Sequence, residues 1–197
     1  AANDHHSAWS LIGHLGDFVV RRGHLGEAPT WLQAAGVERA VDGEIPSQVA
    51  VPVIIKALNA SGRLHFFAGD FEAAQRHTML AVDLACKGDD PTAVSVPWAY
   101  LGMARLCLGD PDKEAKDDLQ GCAEHSRAHG DAYGEAFALT FFGEALMARG
   151  EMSRAKEIID QAQALITRSD LYDQQANIHV ILASWHLRSG NPLAAVD

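Results

Sequence analysis

Cysteine is scarce in this chain: Cys86, Cys107 and Cys122 are the three in 197 residues, with no CxxC pair and an odd total. That count excludes a disulfide framework and points to a reduced, cytoplasmic setting. Aromatic residues are thin at 7%, and runs of β-branched residues are few, so the material for an extended sheet is missing. Basic residues are outnumbered, 16 Lys and Arg against 26 Asp and Glu, for a formal net charge of -10. Binding to phosphate backbones needs stripes of Lys and Arg, so direct contact with nucleic acid is not expected. No apolar run approaches the roughly 20 residues that cross a bilayer, so no membrane role is expected. Ala1 to Ser10 has neither a basic start nor an apolar stretch, so no secretory signal is visible.

What remains is a chain that is 48% hydrophobic, enough to exclude a disordered tail. Alanine, the best helix former, is its commonest residue. Five stretches share one layout, in which a glycine closes one apolar helix and an alanine opens the next: RRGHLGEA (21–28), FAGDFEAA (67–74), CLGDPDKEA (107–115), ARGEMSRA (148–155) and RSGNPLAA (188–195). The closing glycines, Gly23, Gly69, Gly109, Gly150 and Gly190, are separated by 46, 40, 41 and 40 residues. Seven positions before each stands another small residue: Gly16, Gly62, Gly102, Gly143 and Ala183. Glycine inside a helix costs about 1 kcal/mol relative to alanine, so its recurrence predicts close approach of a neighbouring helix. After each turn a trio spaced four and then three apart shares one helical face. The trios are Ala28, Leu32, Ala35; Ala74, Thr78, Ala81; Ala115, Leu119, Cys122; and Ala155, Ile159, Ala162.

The ends agree with helix physics. Glycine takes the left-handed conformation that terminates a helix. Asp70, Asp110 and Glu151 place negative charge where the next helix starts, and Pro91 and Pro111 fall at helix starts. Pro52 and Pro97 lie near the beginnings of first helices, where they kink or delay them. The expectation is an all-α, right-handed superhelical solenoid of about five antiparallel hairpins. It forms a single repeat domain over 1–197, with units near 9–41, 47–88, 91–129, 131–169 and 171–197 and helices of about 16–18 residues. The linker from Gly36 to Ser47 reads as a loop insertion, and the chain stops only a turn into the fifth unit's second helix. That ending reads as a piece of a larger protein, because solenoids need a polar cap.

The layout resembles the tetratricopeptide repeat: small residue at position eight, Gly at fifteen, Ala at twenty, small or apolar residues at twenty-four and twenty-seven. In unit two these are Gly62, Gly69, Ala74, Thr78 and Ala81, and the resemblance covers roughly 9–197. It departs from the commonest form in a period near 40 rather than 34. The aromatic of position eleven is also absent, replaced by Val19, His65, Arg105, Leu146 and His186. Longer repeats with a Gly-Asp turn look like those of the large ATP-binding bacterial transcriptional regulators of the MalT and LuxR kind. That resemblance implies a segment that senses an effector or holds a protein partner, beside ATPase and DNA-binding modules elsewhere in the chain. A free-standing adaptor that binds peptides is the alternative, and a small-molecule pocket between units is a third.

Catalytic chemistry finds no footing. Nucleophile elbow, Walker A, GxGxxG, HExxH and clustered CxxC motifs are absent from the sequence, so no enzyme and no cofactor is expected. His125 and His129 share a helix face at metal-ligand spacing but lack a local third ligand and read as solvated histidines. Asn3-Asp4-His5-His6 reads as a frayed end. The cysteines read as small core residues rather than a redox pair, and paired acids such as Asp117-Asp118 as solvating charge.

The resemblance implies a curved inner wall built from each unit's first helix. Carried onto this chain, unit one contributes Ser10, Asp17, Val20 and Arg21, and unit two contributes Lys56, Asn59, Arg63, Phe66 and Phe67. Unit three adds Val96, Ala99, Met103, Leu106 and Cys107, and unit four Phe137, Thr140, Glu144 and Met147. Unit five gives Asn177, Val180, Ser184 and Leu187. Arg21, Lys56 and Arg63 form a small basic spot, and Phe67, Met103 and Phe137 are the apolar anchors of a protein or peptide partner. The competing reading is that half of these residues pack between units. Two Lys, two Asn and an Arg clamp a carboxylate terminus in some tetratricopeptide domains; the matching places here hold Gly13, Asp17, Ala60, Val96 and Tyr100, which argues against a clamp of that kind.

Overall fold

The computed structural model describes residues 2–23, 25–109 and 114–191, with backbone alone for residues 2–4, 17 and 21. Nine α-helices and two short 3₁₀ turns make up the described residues, and no strand occurs among them. The helices are α1 (Ala2–Arg22), α2 (Ala28–Ala35), α3 (Val51–Ala68), α4 (Phe71–Ala85), α5 (Ser95–Cys107), α6 (Glu114–Ala128), α7 (Ala132–Ala148), α8 (Met152–Arg168) and α9 (Tyr172–Arg188). The 3₁₀ turns, Val37–Asp42 and Pro91–Val94, occupy two of the links. Helices α4, α6 and α8 each pack against the first helix of their own hairpin and against that of the next. Helices α1, α3, α5, α7 and α9 touch in succession. This is an all-α helical solenoid.

The five closing glycines all take positive φ, and Gly69 shows what that does. At φ 83 it bonds its N–H back to Phe66, while Asp70 bonds to the carbonyl of His65. Asp70 then turns its carboxylate to the backbone N–H of Ala73 and caps α4 at 3.0 Å. Asp131 does the same for Gly134 at the head of α7. Pro52 sits in the first turn of α3, where no backbone donor is needed, whereas Pro91 opens a 3₁₀ turn ahead of α5 rather than the helix itself. Asp110 and Pro111 lie outside the described residues.

The recurring glycines sit where helices cross. A Cβ on Gly62 would lie 2.5 Å from Cγ2 of Thr78, on Gly102 2.8 Å from Cγ of Leu119, and on Gly143 2.6 Å from Cγ1 of Ile159. Each opposing residue is the middle member of its trio, and every member of the four trios is buried. Packing of apolar faces, far more than helix propensity, holds such helices in place. Helix α7 is enclosed by α5, α6, α8 and α9 and is buried on nearly every side.

Unit one departs from the expected hairpin. Its first helix starts at Ala2, so Asn3-Asp4-His5-His6 forms a helical turn instead of a frayed end. Its second helix has 8 residues, because Gly36 at φ 78 stops it. Gly16 therefore packs on α3, where its Cβ would stand 2.7 Å from that of Ala60. Only Cys122 is a core residue; Cys86 and Cys107 are exposed, and all three thiols are free.

Candidate functional site

One cavity of about 410 Å³ takes residues from all five first helices. Val20 of α1 closes one end, and Asp173, Ala176 and Asn177 of α9 the other. Between them stand Asn59, Arg63 and Phe67 of α3, Val96 and Tyr100 of α5, and Tyr133 and Phe137 of α7. The lining residues on α3, α5 and α7 are spaced by four, as are Asp173 and Asn177 of α9, so each of these helices offers one ridge. The cavity crosses the array obliquely. It uses the last turn of α1 and the second half of α3, but the opening turns of α5, α7 and α9.

Aromatic rings run across three helices. Phe67 meets Tyr100 at 6.5 Å between centroids, Tyr100 meets Phe137 at 5.4 Å, and Phe137 meets Tyr133 at 6.2 Å in a stacked arrangement. Tyr100 and Phe137 are buried at the floor, whereas Phe67 is 47% exposed and Tyr133 38%. The guanidinium of Arg63 lies 5.5 Å from the centre of the Tyr100 ring, a cation–π contact that orients a positive charge in the cavity. The side-chain oxygen of Asn59 is buried and has no hydrogen-bond partner. Such an acceptor is costly to leave unpaired, and Asn59 is one of the residues that line the cavity.

Seven of the residues expected on the inner wall, Val20, Asn59, Arg63, Phe67, Val96, Phe137 and Asn177, come together here. Others do not. Thr140 is buried and donates to the carbonyl of Ala136, and Met103 is buried in the core. Both pack between helices, as the competing reading had it. Glu144 is half-buried, and burial, only partly offset by the charge of Arg188, pushes its carboxyl above the ordinary range. Ser184 is half-buried on α9 outside the cavity. Lys56 turns to a neighbouring cavity of about 550 Å³ between the start of α3 and the Pro91–Val94 turn, so it does not join Arg63. The side chain of Arg21 lies outside the described residues. Tyr100, Tyr133 and Asp173 were not expected. Each lies one helical turn from an expected position (Val96, Phe137 and Asn177), so extending each ridge by four residues finds them.

Elsewhere, His125 and His129 stand with rings 4.2 Å apart and bond the carbonyls of Pro91 and His125, respectively. No helix among the described residues is long and apolar enough to cross a membrane.

No protein-family model matches the chain, and no curated protein matches it. Solved structures do. BtubC (BKLC) from P. vanneervenii is similar over 93% of this chain and 74% of its own, with a TM-score of 0.65 and 16% identity. A putative kinesin light chain from Podosopora anserina with nearly identical TPR-like repeats is similar over 95% of this chain and 90% of its own, with a TM-score of 0.65 and 16% identity. A singly substituted form of that protein gives a TM-score of 0.66 at 17% identity over the same shares. At these identities the likeness is one of fold: a TPR-like helical solenoid.

Proposed function

We propose that this solenoid is a protein-interaction scaffold that holds a peptide segment of a partner in the cavity between Val20 and Asn177. The observation that carries the reading is the convergence of five helices on one aromatic-floored space lined by an oriented arginine and by Asn59. The partner backbone runs past Asn59, and an acidic side chain answers Arg63. An apolar anchor packs between the exposed rings of Phe67 and Tyr133, the residue type that dominates interface energies. The neighbours of like fold are repeat proteins, which agrees with a scaffold role. The 40-residue period supports placing the scaffold in a large regulator of the MalT kind, where it senses an effector or partner and passes on that occupancy. Such coupling requires the ligand to favour one arrangement of the chain over another.

Selection of peptides on the immobilised protein, followed by fluorescence anisotropy, tests the reading. Selected sequences should share an acidic residue beside an apolar one, and Arg63→Glu should weaken their binding about thirty-fold, the equivalent of about 2 kcal/mol at an interface hot spot. Selection of sequences that bind Arg63→Glu equally well overturns the cavity as the docking place.

A further inference from the structure

The linker between the first two hairpins is not a loose loop. Its 3₁₀ turn buries Val37 and Ala40 in the same core as α1 and α3, and that sets Glu38 over the crossing of α3 and α4. There His65 of α3 places Nε2 2.9 Å from one carboxylate oxygen of Glu38, and His77 of α4 places Nε2 3.6 Å from the other. The two imidazoles stack at 5.1 Å between centroids, and one ligand atom from each of the three residues lies within 4.8 Å of the others. Donors held 2.0–2.1 Å from a tetrahedral zinc ion stand about 3.4 Å apart, a distance bracketed by the two measured here.

His77 supplies the second, independent sign. It is wholly buried, and its Nδ1 is committed to the carbonyl of Ala73 at 2.9 Å, so Nδ1 carries the hydrogen. Its Nε2 then presents a lone pair toward the Glu38 carboxylate and has no hydrogen-bond partner. Two acceptors face each other with nothing between them. A cation satisfies both atoms at once. The outer shell is in place as well: Ala73 fixes the tautomer of His77, and the carboxylate of Asp70 lies 3.6 Å from Nδ1 of His65. Carbonyl and carboxylate partners of this kind orient metal-bound imidazoles.

We propose that Glu38, His65 and His77 bind one divalent transition-metal ion of the zinc class, with a fourth position open to water, and that the ion ties the linker to the α3–α4 hairpin. Two imidazoles and a carboxylate suit such ions and not magnesium or calcium, which prefer all-oxygen shells. The side chains of His65 and Glu38 are 12% and 31% exposed, which leaves the ion a way in.

The test uses the full chain, free of affinity tags and stripped with a chelator, titrated with Co²⁺. The expected result is one equivalent bound with visible ligand-field bands, their displacement by Zn²⁺, and a rise in melting temperature with Zn²⁺ but not Mg²⁺. His65→Gln and Glu38→Gln, both partly exposed and close in size to the residues they replace, should each abolish the bands while keeping the helical circular dichroism. Loss of a ligand should weaken binding by more than the roughly 10–100-fold that loss of an outer-shell partner costs. His125→Gln combined with His129→Gln should leave the bands unchanged. The proposal is overturned if the folded wild-type chain shows no bands at one equivalent, if they persist in His65→Gln or Glu38→Gln, or if they disappear with the His125 and His129 changes.

Discussion

Gly102 and Leu119 face each other so closely that a Cβ on the glycine would stand 2.8 Å from Cγ of the leucine and 3.2 Å from the carbonyl oxygen of Ala115. The obstacle includes backbone, and Leu119 is wholly buried, so its side chain has no open space to turn into. Gly102→Leu should therefore cost roughly 1–3 kcal/mol or more by overpacking. Gly102→Ala should also destabilise, although alanine gains about 1 kcal/mol in helix propensity. Urea unfolding followed by circular dichroism measures both. A neutral Gly102→Leu would show that α5 and α6 separate without loss.

The same contact shows why the fold was legible in the sequence. Gly62 meets Thr78 sixteen residues later and Gly143 meets Ile159 sixteen later, but Gly102 meets Leu119 seventeen later, because the third turn holds one extra residue. Period, small residue and trio all report one local event, the crossing of two helices in a hairpin. The site was less legible. Its ridges depend on how far each hairpin rotates against the last, which no single repeat encodes, so Tyr100, Tyr133 and Asp173 were missed by one turn and Met103 and Thr140 were placed on the wrong side. Glu38, His65 and His77 lie 27 and 12 residues apart and meet only because the irregular linker folds back, a tertiary event without a local motif.

Exposure separates the binding role of the aromatics from their structural role. Phe67 and Tyr133 are 47% and 38% exposed, so replacing either with alanine should leave the melting temperature nearly unchanged. Either change should weaken a selected peptide by about 1–2 kcal/mol, roughly five- to thirty-fold. Phe137 is 5% exposed beneath them, and Phe137→Ala should cost about 3–5 kcal/mol of stability, as large buried residues do. Paired anisotropy and thermal melts distinguish the two. Equal destabilisation by all three would remove Phe67 and Tyr133 from the binding surface.

Glu144 makes stability depend on pH in an unusual direction. Burial raises its carboxyl pKa above the ordinary 4.5, and attraction to Arg188 lowers it only in part. A raised folded pKa means that the folded state holds this proton more tightly than the unfolded state does. That contribution is full below the unfolded value and is lost as pH rises through the folded one. Glu144→Gln, which stays neutral, should therefore raise the melting temperature at pH near 7, with the gain shrinking as pH falls toward about 4.5 and gone below it. Thermal melts across that range check the sign, and a variant that is less stable at neutral pH would mean that attraction to Arg188 outweighs burial.

Thiol chemistry reads the same region from the other side. Cys122 is buried between α5 and α6, its thiol donates to the carbonyl of Ser95 at 3.1 Å, and burial pushes its pKa up to about 12. Cys107 is raised by partial burial and then by the charge of Glu144, and Cys86 is exposed on the link after α4. The thiolate is the reactive form, so Ellman's reagent should titrate two thiols in the native chain and three in denaturant, with Cys86 reacting ahead of Cys107. Because the Glu144 carboxylate opposes a thiolate at Cys107, Glu144→Gln should speed alkylation of Cys107 near neutral pH while leaving Cys86 unchanged. Mass spectrometry of partly alkylated protein resolves the two sites. Alkylation of Cys122 at the rate of Cys86 would show that α5 and α6 open locally, because a closed helix pair gives the reagent neither access nor a thiolate.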